Sequence, residues 1–85
     1  MSDYQLYLNF EVAKLIKPIR GQVKRDILHY LDFLKAHPFS HGDFRRRKEA
    51  RDVEVKVIGN YSIYFFTDHA VKEVKVIDVQ KAEKS

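Results

Sequence analysis

The chain begins by alternating. Residues 4–10 set Tyr4, Leu6, Leu8 and Phe10 against Gln5, Tyr7 and Asn9. A repeat of two, rich in aromatics, predicts a strand. At Phe10 the repeat lengthens: Val12, Leu15, Ile16 and Ile19 recur at helical spacing, with Lys14 and Lys17 off that face. Pro18 predicts the end of this first helix, or the first turn of the next. Residues 20–36 carry the clearest apolar stripe, Val23, Ile27, Leu31 and Leu34, widened by Leu28 and Tyr30. That spacing is an amphipathic helix. Gly21 marks its joint with the first helix, and Pro38 ends it, because a proline disfavours helical geometry at the residue before it. So short a connection predicts that the two helices pack as a hairpin.

Residues 38–52 hold Pro38, Gly42 and little periodicity. They read as a polar connector, with at most a short turn at 43–48. Alternation then returns. In one run Val53, Val55 and Val57 face one way and Glu54 and Lys56 the other; in the next, Ile63 and Phe65 oppose Tyr64 and Phe66. Gly59-Asn60 between them predicts a tight hairpin. Asp68-His69-Ala70 turns the chain into a last strand over 71–79, whose end loses its alternation at Val76-Ile77-Asp78-Val79. Such a run predicts burial on both faces. Residues 80–85 read as a polar tail that frays. The expected order is β-α-α-β-β-β: an α+β fold in one domain over 1–85, with the helical hairpin on one face of a four-stranded, mainly antiparallel sheet. In that arrangement the helix stripes bury against the valines and aromatics.

With 85 residues, 45% of them hydrophobic, the chain has material for one modest core. The absence of cysteine excludes disulfides and thiolate metal sites and fits a reducing cytoplasm. The start has no basic, apolar leader, and no apolar run approaches the ~20 residues that span a bilayer. A cytoplasmic protein without membrane contact is expected. The formal charge is +4, with 10 Lys/Arg against 7 Asp/Glu in residues 44–85 and 6 against 5 before them. Arg45, Arg46, Arg47, Lys48 and Arg51 concentrate this excess, which attracts polyanions or an acidic partner.

Two stretches carry a resemblance. "AKLIKPIRGQVKRDILHYLDFLKAHP" and "VEVKVIGNYSIYFF…VKEVKVIDV" resemble the RelE/ParE superfamily of toxins from bacterial toxin–antitoxin modules, and the likeness covers nearly the whole chain. It implies a growth-inhibiting protein neutralised by a cognate antitoxin. It also implies one of two targets: ribosome and messenger RNA, which RelE-like members cleave without a metal, or DNA gyrase, which ParE-like members poison without cutting RNA.

Metal-independent cleavage needs a base for the 2′-hydroxyl, cations for the phosphorane charge and an acid for the leaving oxygen. The resemblance implies basic residues on the second strand, an arginine after the hairpin tyrosine, and an Arg, His or Tyr near the end of the chain. Lys56 fits one of the lysines. Glu54 stands where a second basic residue is often found, Ser62 stands at the arginine position, and the C-terminal residues offer only Lys81 and Lys84. A hydroxyl cannot carry the charge that a guanidinium would. The first reading is therefore a toxin that acts by binding a large target. One alternative is a metal-independent endoribonuclease using Lys56, Arg51 and Lys81; the other is an interaction module that kept the scaffold without the chemistry.

Binding of nucleic acid or of an antitoxin falls to Arg45, Arg46, Arg47 and Lys48, whose guanidinium and ammonium groups meet phosphates or carboxylates. Tyr64 and Phe66 join them, on the face opposite the valines. No metal is expected: His37 and His41, with Asp43 nearby, lack a matching third and fourth ligand. No cofactor is expected either, since three glycines make no phosphate-cradling loop.

Overall fold

The computed structural model describes residues 3–82. Its elements are β1 (Gln5–Leu8), α1 (Phe10–Ile16), α2 (Gly21–Ala36), β2 (Phe44–Lys48), β3 (Arg51–Ile58), β4 (Tyr61–Asp68) and β5 (Glu73–Lys81). The architecture is α+β; the helices, β3 and β4 stand where the sequence pattern puts them, and β5 runs two residues later than the expected 71–79. Asn9 starts α1 by accepting the Val12 N–H on its side chain at 2.8 Å, which satisfies one of the unpaired donors of the first turn. Phe10 therefore begins the helix instead of ending the strand.

The sheet has five strands, not four, in the order β1-β5-β4-β3-β2. The extra strand is β2, inside the stretch that the sequence presents as a connector. It pairs antiparallel with β3, Phe44 opposite Val55 and Lys48 opposite Arg51. Every residue from Phe44 to Arg47 is exposed, so no apolar alternation exists there to betray a strand. The approach to β2 is stitched to β3: Asp43 N–H donates to the Val55 carbonyl at 2.7 Å, and Gly42 N–H to the Glu54 carboxylate at 2.8 Å. A Cβ on Gly42 would lie 2.5 Å from the Val55 oxygen. Only glycine lets the two backbones come so close.

β1 is the other edge, parallel to β5; the remaining pairings are antiparallel. α1 lies against β5, and α2 against β1 and β3. Val12, Ile16, Ile19, Ile27, Leu31 and Leu34 meet Ile63, Phe65, Val74, Val76 and Val79 in one buried cluster.

Residues paired across strands project from the same face, and this rule assigns every strand position. Phe65 pairs with Val76 and with Glu54, and Ile63 with Val79 and with Lys56. Glu54 and Lys56 thus lie on the helix side. Val55 pairs with Tyr64, so the β3 valines lie on the opposite, helix-free face. The expectation that those valines meet the helix stripes is reversed. Val53 and Val55 are nonetheless buried. Val55 is flanked by Phe44 and Tyr64, and Val53 has Arg46 opposite it on β2. Val57, beyond these flanking groups, is exposed.

The broken alternation near Ile77 has a different cause from burial on both faces. Tyr64 pairs with Asp78 and Phe65 with Val76, so the register shifts and Ile77 is one residue too many. This is a bulge, which resets the phase of the strand. β5 also continues through Gln80 and Lys81, and Ala82 N–H donates to the Asn60 carbonyl. The first part of the expected frayed tail is therefore paired strand; residues 83–85, with Lys84, lie outside the described residues.

Candidate nucleic-acid interface

The helix-free face gathers side chains from four strands. β2 supplies Phe44, Arg46 and Lys48; β3 supplies Arg51 above the Val53–Val55 floor; β4 supplies Ser62, Tyr64 and Phe66; β5 supplies Lys75, Ile77, Asp78 and Gln80. Cations and rings interleave. The Arg51 guanidinium carbon lies 4.1 Å from the Phe66 centroid, and Lys75 Nζ lies 6.0 Å from the same ring. Arg46 sits 5.5 Å over Phe44, and Lys48 Nζ sits 5.2 Å over Tyr64. Such contacts hold a cation over the negative face of a ring while its N–H groups stay outward. A shallow hollow of about 150 Å³ opens between Lys48, Glu49, Arg51, Phe66 and Ile77.

The four cations are not equivalent. Lys48 Nζ meets Asp78 at 3.3 Å. Lys75 meets Asp68 at 3.3 Å and Glu73 at 3.8 Å. Burial raises the Asp68 carboxyl, but hydrogen bonds, Lys75 foremost, more than offset that and hold it below the ordinary carboxylate range. Arg46 and Arg51 meet no carboxylate among the described residues; rings alone position them. They are the two groups on this face with full capacity for an anion.

The other candidates part company here. Lys56 lies on the helix side, where its ammonium donates to Asp43 at 3.3 Å and sits 5.5 Å from the Tyr30 ring. Asp43 also accepts the Val57 N–H at 2.8 Å, and that bond, with Lys56 behind it, holds its carboxyl below the usual range. The trio ties the chain before β2 to β3. Arg45 and Arg47 share this side, paired with Glu54 at 2.7 Å and Asp52 at 3.3 Å. Burial raises the Glu54 carboxyl, but Gly42 N–H, Arg45 and His41 outweigh it and leave the carboxyl lowered. His41 leans on Glu54 at 3.5 Å, and among the described residues His37, His41 and Asp43 form no cluster that could hold a metal ion.

Lys81 pairs with Tyr61 on the helix side, at the end of the sheet away from Arg51. The sheet thus separates Arg51 from Lys56 and Lys81, and Ser62 from both lysines. The arginine run divides by parity, with Arg46 and Lys48 on the open face and Arg45 and Arg47 on the other. Phe44 and Lys75 join the site without a sequence signal of their own; Phe44 could be found only by recognising β2, and Lys75 only from the register of β5 on β4, where it pairs with Phe66.

No family model matches the chain, and no curated protein matches it by sequence. Solved structures do match. The archaeal RelE–RelB complex of Pyrococcus horikoshii OT3 aligns at a TM-score of 0.77 with 15% identity, over 96% of this chain and 98% of that one. The isolated E. coli RelE toxin aligns at 0.78 with 19% identity, over 96% and 87%. The RelBE2 toxin–antitoxin complex of Mycobacterium tuberculosis aligns at 0.73 with 14% identity, over 92% and 96%. The chain has the RelE toxin fold.

Proposed function

We propose that this protein is the toxin of a toxin–antitoxin pair and arrests growth by binding RNA across the open face of its sheet. A cognate antitoxin would neutralise it by covering that face. The observation that carries the reading is the pair Arg46 and Arg51, without carboxylate partners and set over Phe44 and Phe66 where no helix lies. Guanidinium groups grip phosphate bidentately, and neighbouring rings stack bases that are not already paired. Single-stranded RNA presented during translation offers both features; duplex DNA held by gyrase hides its bases. The likeness to RelE structures, one an isolated toxin and one a toxin–antitoxin complex, supports the toxin reading.

Binding without cleavage is the form favoured here. Ser62 supplies no charge at the position where the resemblance implies an arginine, and Lys56 and Lys81 lie behind the sheet. Induced expression in a bacterium tests the reading. Wild-type protein is expected to stop growth and leave message uncut. Arg46→Glu with Arg51→Glu is expected to restore growth with its circular dichroism unchanged, while Lys56→Ala with Lys81→Ala still arrests. Normal growth with wild-type protein, or arrest that survives the arginine reversals, contradicts the proposal; message cut in a translation assay would replace binding by catalysis.

A further inference from the structure

The largest uncompensated charge lies away from the open face. Residues 14–25 hold Lys14, Lys17, Arg20, Lys24 and Arg25 and no acidic residue, so this segment contributes +5 to a chain of net +4, and the rest sums to −1. Folding compensates only Lys14 of these five. Around the arginine run, Arg45, Arg47 and Lys48 each find a carboxylate. At the joint of α1 and α2, Lys14 reaches Glu11 at 4.0 Å, but Lys17, Arg20, Lys24 and Arg25 meet no carboxylate among the described residues. Lys24 instead donates to the Lys17 carbonyl at 3.0 Å, tying α2 to the end of α1. The four surround an open hollow of about 390 Å³ that also takes in Gly21 and Leu28. Gly21 has φ +77°, and a Cβ placed on it would meet nothing within 4 Å, so the backbone is open to a passing chain.

We infer that this joint is a second anion-binding surface, shaped for the phosphate rows of a nucleic-acid duplex. No aromatic ring lines the hollow, so unpaired bases gain no stacking platform there. An acidic peptide would need apolar anchors, and the hollow offers the half-exposed Leu28 and the buried Ile19. What remains is charge on exposed side chains, and a duplex presents charge with its bases hidden. The joint lies on the helix side of the sheet, away from Arg46 and Arg51. A structured RNA can thus place a duplex on one surface and a single-stranded stretch on the other. This inference goes beyond the open-face reading and does not require it.

Fluorescence anisotropy with blunt duplex RNA, duplex DNA and an unstructured single-stranded RNA, each across a salt series, tests it. The variant is Lys17→Gln, Arg20→Gln, Arg25→Gln, which spares the Lys24 tie. Duplex affinity is expected to fall at least about tenfold, with the log–log salt slope reduced by about 2–3, since each lost phosphate contact removes roughly 0.9. Single-strand affinity should hold. Arg46→Gln with Arg51→Gln should show the converse, which keeps failure of the open-face reading distinct from failure of this one. Either duplex binding in this way supports the inference, and the better-bound one identifies its source. It is overturned if wild-type protein binds neither duplex, if the triple variant binds them unchanged, if the Arg46/Arg51 variant loses as much duplex affinity, or if polyglutamate outcompetes the duplex at the joint.

Discussion

At the scale of single residues, Tyr30 is the telling side chain. Its ring stands edge-on to Phe65 and stacks on Phe33, each 6.0 Å away, while its hydroxyl is buried with no hydrogen-bond partner among the described residues. Burial, with the charges of Asp43 and Glu54, pushes its pKa up to about 12. A buried polar group without a partner costs about 1–3 kcal/mol. Tyr30→Phe is therefore expected to stabilise the protein by about 1 kcal/mol, a rise of roughly 4–8 °C in Tm for a domain of this size; a fall would show that the hydroxyl is bonded. The pH dependence follows from the sign. A folded pKa raised above the unfolded value of about 10 means the folded state holds the proton more tightly. Its stability contribution is whole below about pH 10 and is lost as pH rises towards 12. Denaturant titrations over that window should show wild type losing stability relative to Tyr30→Phe. The spacing of the helix stripe marks Tyr30 as widening it, and the resemblance marks Ser62 as standing where an arginine is implied. The sequence is silent on Lys56 as a structural tie, because that role needs Asp43 beside it.

At the scale of elements, the strongly patterned ones were legible. α2 ends before Pro38, and β3, β4 and β5 alternate where the sequence alternates. β2 was not legible, because an edge strand exposed on both faces needs no apolar period and its charges keep other chains from pairing with it. Its turn was hidden as well. Glu49 and Ala50 both take positive φ, 51° and 62°, in the two-residue link to β3, where Asn-Gly is the usual choice. Left-handed backbone costs an ordinary residue about 1–2 kcal/mol. Glu49→Asn with Ala50→Gly should stabilise the protein by at least about 1 kcal/mol, raising the midpoint of urea unfolding without changing its slope. An unchanged midpoint would mean that the turn relaxes in solution.

Across the whole molecule, the missing strand explains the misplaced site. Without β2 there is no register to separate Arg46 from Arg45, and the valines of β3 look like core for the helices. With it, the sheet separates Arg45, Arg47 and Lys56, in ion pairs on the helix side, from Arg46, Lys48, Arg51 and Lys75, over rings on the open face, while Lys17, Arg20, Lys24 and Arg25 gather at the helix joint with no carboxylate partner among the described residues. Net charge from the sequence predicts an anionic partner but not this partition, because neutralisation depends on which carboxylates folding brings close.

The most direct measurement is an amide chemical-shift map of the protein titrated with an unstructured single-stranded RNA. The largest shifts should fall on Arg46, Arg51, Val53, Tyr64 and Phe66. Shifts confined to the region of Lys56, Asp43 and Lys81, with the open face unmoved, would contradict the assignment of that face as the RNA surface.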